Sequence, residues 1–429
     1  MSIASRPDLR IEPLFKVPTD LLDALRRTGE RRTGVALADL SQFFVLHLGG
    51  SSADDALSKG LPEDLLAEIL ASDAVETVYH QRRLALPMDI PPITPNFESG
   101  VGPGQGYRGP APLGIDVNAA WTRGLRGNGV TVVDVENSWN LDHEDLHHLT
   151  TQVDPTAILG PGTWSPLTRH IDHGTATLGV LASGDNGYGT TGLVPDATIR
   201  VLPVSDVTDP TWNGAYSVVL ATLHMDAGDV LLIEAQTEIR PGTNLHLPFE
   251  VGPAEYAAVA QAHALGIHVI QPAGNSTAGL DLDTHGSVTN MGTAPSLFDR
   301  YVRDSGAVLV GGGRSTLTAG KHTRYPNSNY GSRVDTFAWG EDVVSLGYGP
   351  RFLSTPFCRN RINPFPQTLD QNQHYTYCYN GTSSAGAVVA GAAAILEQKH
   401  RADFGQPFAP KELRNLLSLG SPSTDDIGH

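Results

Sequence analysis

The sequence predicts an α/β protein: a three-layer domain built on a mostly parallel central sheet, preceded by a small α+β domain of ferredoxin-like type. Three observations predict it. From Gly114 onward, short runs rich in Val, Ile and Leu alternate with helix-like stretches, and apolar strands alternating with helices imply a parallel sheet covered on both faces. Ahead of Pro87 the pattern changes to a smaller mixture of strand and helix signals. Between them, Pro87 to Pro112 holds seven prolines and five glycines, too broken for regular structure and suited to an exposed linker. The chain therefore divides into residues 1–86, a linker over 87–112 and a larger domain over 113–429.

Each element has its own signal. Phe43 to Leu48 is a β-rich run closed by Gly49 and Gly50. Leu61, Leu65, Leu66, Ile69 and Leu70 share one helical face, and Pro62 suits a first helical turn. Val75 to Tyr79 and Leu84 to Leu86 read as short strands. In the larger domain the strands are Val130 to Val135, Ile199 to Val204, Val230 to Ala235, Ile267 to Gln271 and Ala307 to Val310. Thr175 to Ala182, Ala254 to Leu265 and Gly386 to Ile395 read as helices. In such sheets active residues gather at the carboxyl ends of the strands.

Composition excludes several classes. Hydrophobic residues make up 40% and charged residues 17% of the 429, which fits a folded core rather than a disordered chain. Lys+Arg 29 against Asp+Glu 46 gives a net charge of -17, which repels phosphate backbones and argues against nucleic-acid binding. No apolar run approaches the roughly 18 residues of a membrane span, so no membrane partner is expected. Two cysteines, Cys358 and Cys378, are too few for a disulfide-built scaffold. Met1 to Lys16 lacks the basic and apolar pattern of an export signal. That leaves a cytoplasmic protein, or a secreted one whose signal lies outside this sequence.

Four residues stand where chemistry is expected. Asp134 sits near the end of a valine-rich strand, where a carboxylate is costly unless something polar meets it. His173 opens His173-Gly174-Thr175 ahead of a helical pattern and reads as part of a first helical turn. Asn275 follows an apolar strand, where its amide can donate to a developing oxyanion. Ser383 precedes a small-residue helix whose first N–H groups face an anion well. Taken alone, each has an ordinary structural explanation: a salt-bridged aspartate, a capping histidine, a Gly-Asn turn, a serine N-cap. Together, Asp, His and Ser in that order, with an Asn between His and Ser, match one known arrangement of a serine nucleophile.

The chain here resembles the subtilases, the subtilisin-like serine proteases, from about Gly114 to Leu417. The resemblance rests on His173-Gly174-Thr175-Ala176-Thr177-Leu178-Gly179, Ala273-Gly274-Asn275 and Gly381-Thr382-Ser383-Ser384-Ala385, with Val132-Val133-Asp134 and Asn329-Tyr330-Gly331-Ser332-Arg333-Val334-Asp335 also fitting. It implies a subtilisin-like fold, with Ser383 as nucleophile, His173 as base then acid, Asp134 orienting the imidazole, and Asn275 plus the Ser383 N–H as oxyanion donors. It also implies peptide or protein substrates, held by Glu234, Ala235, Gln236, Ala273 and Gly274. No cofactor is needed for the chemistry.

This sequence departs from the family in four places. Ala385 is followed by Gly386 and Ala387, where the family has a proline two residues on. Glu234-Ala235-Gln236 replaces the family's Ser-Leu-Gly, so Glu234 is expected beside the cleft, either favouring a basic substrate residue or, preferably, tied to an internal partner. Arg351 to Tyr379 reads as an insertion that a Cys358–Cys378 disulfide or two free thiols would fit equally. Finally, two extra residues separate Asp134 from Asp145.

The resemblance further implies a structural calcium held by Asp145, Asn186 and the carbonyls of Gly184, Tyr188 and Thr190, an oxygen set suited to a hard cation. His143, His147 and His148 lack zinc-ligand spacing. The first 86 residues resemble a subtilase propeptide, an intramolecular inhibitor of the cleft, with self-processing expected between Pro87 and Pro112. The expected function is a serine endopeptidase. A peptide ligase or macrocyclase on the same scaffold and a catalytically silent binding module are the alternatives; an α/β-hydrolase lipase is excluded, because Ser383 lacks Gly-x-Ser-x-Gly and a later histidine.

Overall fold

A computed structural model describes residues 9–48, 63–78, 84–85, 105–146, 148–149, 167–186, 189–206, 213–239, 243–285, 297–318, 321–349 and 370–419. In the N-terminal unit, β1 (Leu9–Pro13) pairs antiparallel with β2 (Phe44–Leu48), Leu9 facing Leu48 and Pro13 facing Phe44. Between them runs α1 (Thr19–Thr33), and α2 (Glu63–Leu70) follows. The expected strand at 75–78 is absent, and Tyr79 lies outside the described residues.

The sequence gives no clear signal for α1, whose leucines stop at Leu25 before a charged run. Docking completes it. Leu14, Phe15, Val17, Leu22 and Leu40 share a core with the larger domain, and Gln261 donates to the Leu25 carbonyl at 2.9 Å. β3 (Leu84–Ala85) pairs with the larger domain instead of its own unit.

Part of the expected linker packs on that larger domain. The Tyr107 ring is fully buried and its hydroxyl donates to the Val344 carbonyl at 3.0 Å, while Gln105 Nε2 donates to the Thr191 carbonyl at 2.7 Å. Its elements are α3 (Val117–Trp121), β4 (Thr131–Glu136), α4 (Thr168–Ala182), β5 (Thr198–Pro203), α5 (Gly214–Thr222), β6 (Val230–Ile233), β7 (Gln236–Glu238) and β8 (His246–Pro248). There follow α6 (Pro253–Ala264), β9 (His268–Pro272), α7 (Leu282–His285), β10 (Val308–Thr318), β11 (Lys321–Arg324), β12 (Thr336–Trp339), β13 (Val343–Leu346), β14 (Tyr375–Tyr379), α8 (Thr382–Phe404) and α9 (Pro410–Leu419).

The central sheet runs β5–β4–β6–β9–β10 with every neighbour parallel. β10 then pairs with β12 in parallel and with β11 antiparallel. Alternation along β4 explains the layers. Val132 faces a core shared with α4 and α8, whereas Val133 and Val135 face the core that holds α5, α6 and α1. With both faces buried, the strands read as continuous apolar runs. Asp134 and Glu136 point to the same side as Val132, towards α4 and α8.

Candidate active site

The carboxyl end of β4 sets the site. Glu136 is its last residue, and Oε2 of Glu136 lies 2.5 Å from Nδ1 of His173. Asp134 sits one pleat deeper, about 6–7 Å back along the strand, where its Oδ2 accepts from Trp139 Nε1 at 2.8 Å. Among the described residues, the carboxylate in hydrogen-bond contact with the imidazole is thus Glu136, at the strand's end, where Asp134 was expected. Counting from Glu136 also removes the two-residue excess before Asp145, the signal in the sequence that could have found it.

His173 lies well inside α4, which begins at Thr168, and not in the first turn. Gly174 permits this, since a Cβ there would come within 2.2 Å of the Ser138 carbonyl and 2.7 Å of Glu136 Cγ. The Tyr379 ring meets the imidazole edge-on at 5.3 Å between centroids, and its hydroxyl lies 2.7 Å from Thr177 Oγ1. Thr177 and the Asn137 N–H also approach Glu136, at 3.5 and 3.2 Å. Burial pushes the Glu136 carboxyl well above its usual range, and these two donors oppose that. Sequence reasoning missed Glu136, Trp139, Thr177 and Tyr379.

Ser383 is buried beside Thr382 at the start of α8, which Gly381 caps with φ 101°. The Thr382 N–H donates to Asn275 Oδ1 at 2.9 Å, so the amide nitrogen of Asn275, without a partner of its own, faces the other way. Gln236 Oε1 accepts from the Asn275 N–H at 2.7 Å. Asn329 Nδ2 donates to the carbonyls of Ala273 at 2.8 Å and His246 at 2.9 Å, and the Asn329 N–H donates to Gly274 O at 2.9 Å. The Asn329-Tyr330-Gly331 stretch thus fixes the loop that carries Asn275.

An imidazole backed by a carboxylate, a buried serine on a helix start and an oriented amide suit acyl transfer. Residues 127–421 match the Subtilase family. The chain belongs to this family of serine proteases, which are hydrolases. Similar proteins include the Intracellular serine protease of Paenibacillus polymyxa, 25% identical over 321 residues, 73% of this chain and 82% of that protein. Subtilisin Savinase of Lederbergia lenta is 26% identical over 313 residues, 72% of this chain and 90% of that one. Subtilisin NAT of Bacillus subtilis subsp. natto is 24% identical over 298 residues, 68% of this chain and 63% of that one. Fervidolysin of Fervidobacterium pennivorans, described as a keratinolytic enzyme related to subtilisin, superposes with a TM-score of 0.53 at 18% identity. This match covers 92% of the subtilase chain but only 55% of fervidolysin, and shows the fold.

The subtilase's remaining expected site residues divide. Ala235 and Ala273 are buried in the loops around Asn275, and β7, which starts at Gln236, pairs antiparallel with β3 and β8. Glu234 is completely buried in the full chain and lies against the Ser383 hydroxyl. Acceptor atoms of Glu136, His173 and Glu234 come within 4.8 Å of one another, but Glu136 and His173 are committed to each other and leave no open metal cage.

The calcium set fits poorly. Asp145 Oδ1 accepts from Asn186 Nδ2 at 2.7 Å and Oδ2 from the Thr190 N–H at 2.9 Å. A calcium ion needs oxygens turned towards it, whereas here nitrogen donors face the carboxylate. The Gly184 N–H donates to the Asp145 carbonyl at 2.9 Å, and Tyr188 lies outside the described residues. Cys378, next to Tyr379, is disulfide-bonded; the only other cysteine in the chain is Cys358, which lies outside the described residues. Among these residues no helix is long and apolar enough to cross a membrane.

Proposed function

We propose that this subtilase is a serine endopeptidase whose triad is Ser383, His173 and Glu136. Ser383 Oγ attacks the peptide carbonyl while its proton passes to His173 Nε2. Glu136 holds Nδ1, fixing the tautomer and offsetting the imidazolium charge as it forms. The oxyanion is met by Asn275 Nδ2 and the Ser383 N–H. The imidazolium then protonates the leaving amine, and a water repeats the sequence on the acyl-enzyme. The observation that carries this reading is the 2.5 Å approach of Glu136 to His173.

The N-terminal unit acts as an intramolecular inhibitor. β3 lies antiparallel on β7 with Leu84 opposite Thr237 and Ala85 opposite Gln236, occupying the edge of the segment expected to hold substrate. Processing follows within the linker, between Pro87 and Pro112. Intact mass of purified protein over time, wild type beside Ser383→Ala, tests this. The expected result is loss of an N-terminal fragment ending in that range in the wild type alone. If the wild type keeps its full mass and also leaves labelled casein uncut, the peptidase reading fails.

A further inference from the structure

Glu234 takes no part in the triad, yet it is the acid nearest the nucleophile. It follows β6, the strand adjacent to β4, and its side chain turns under the start of α8. Gly386 of α8 makes the room: a Cβ there would lie 2.9 Å from Glu234 Oε1. Neither Glu234 oxygen has a well-formed hydrogen bond, and neither does Ser383 Oγ, although the two groups lie against each other. The charged and titratable groups around Glu234 are Asp134 and Glu136 from β4, His173 from α4 and Tyr379 from β14. Among the described residues, no lysine or arginine is among the groups that act on it. Among the described residues, Glu136 and Glu234 thus both lie within reach of the one basic side chain here, His173, with Asp134 acting on Glu234 from farther back.

A hydroxyl has one proton to donate. Were Glu234 ionised it could only accept, and it would draw the Ser383 proton away from His173 Nε2, where base catalysis needs it. A neutral acid reverses the bond: it donates to Ser383 Oγ and leaves the hydroxyl proton free for the imidazole.

We propose that Glu234 is a neutral carboxylic acid that donates its hydrogen bond to Ser383 Oγ, so that turnover requires Glu234 to keep its proton. This rests on the peptidase reading above. Proton accounting closes: the serine proton goes to His173 and onward to the leaving amine, and Glu234 holds its own throughout. Burial and the neighbouring Glu136 and Asp134 carboxyls favour the neutral form, with only the Ser383 hydroxyl opposing.

The test is the pH profile of kcat/KM on labelled casein between about pH 3 and 10, for the full chain allowed to complete any self-processing. In the wild type, kcat/KM should fall about tenfold per pH unit once Glu234 ionises. Glu234→Gln, which keeps a donor and cannot ionise, should lack that alkaline fall whatever its activity at lower pH. An identical alkaline fall in Glu234→Gln overturns the proposal. So does a folded Glu234→Gln inactive at every pH, which would make the carboxylate itself a base. Should Glu234→Gln fail to fold, Glu234→Ser must also lack the alkaline fall. Infrared difference spectra at neutral pH, wild type minus variant, read the proton directly: a protonated-acid carbonyl band supports the proposal and its absence overturns it. That band does not depend on hydrolysis, whereas wild type no more active than Ser383→Ala defeats the peptidase reading instead.

Discussion

The Thr382 N–H donates to the side-chain oxygen of Asn275 at 2.9 Å, and this bond decides which end of the amide is turned away from Thr382. An N–H partner demands the oxygen, so the NH₂ group is left over for the proposed oxyanion role. Asn275→Ala should lower kcat about 100- to 1000-fold, or roughly 2.7–4 kcal/mol of transition-state stabilisation, with little change in KM. Steady-state kinetics check this, and near-wild-type turnover would remove the oxyanion role.

Stability should carry the mark of the buried Glu234. Its carboxyl is held well above the usual range in the folded chain, so above the unfolded value the native state binds more protons and stability falls as pH rises. Below the unfolded value that penalty is absent. Glu234→Gln removes it, so it should raise Tm at pH 8 and change it much less at about pH 4. Thermal melts in a Ser383→Ala background, which prevents self-digestion, provide the comparison; an equal shift at both values would contradict the linkage.

Chelation should do little. With Asn186 and Thr190 donating to Asp145, the loop is already closed by its own hydrogen bonds. Excess EDTA is expected to leave the Tm of Ser383→Ala unchanged, whereas a fall reversed by added calcium would show that the loop rearranges around an ion.

Much of this was legible in the sequence. His173, Asn275 and Ser383 sit in short segments whose chemistry is local, and the five apolar runs of the larger domain became β4, β5, β6, β9 and β10. Asp134 was the acid expected from the sequence because Val132-Val133-Asp134 fits the family pattern, while Glu136 shares its strand face and meets the imidazole; only the position of α4 separates the two. Glu234 was legible as unusual, but its direction depends on the space beneath Gly386, far away in the chain. α1 had too few periodic apolar residues to be read alone. Its partner is α6, and such docking leaves no local signal.

The most direct test of the account compares Glu136→Gln with Asp134→Asn, both checked for folding, on labelled casein. Glu136→Gln should lower kcat about 10⁴-fold, as expected when the group fixing the histidine tautomer is neutralised. Asp134→Asn still accepts from Trp139 and should remain within about tenfold of wild type, being removed from the imidazole. The opposite ranking, with Asp134→Asn inactive and Glu136→Gln nearly unaffected, would contradict the Ser383–His173–Glu136 assignment.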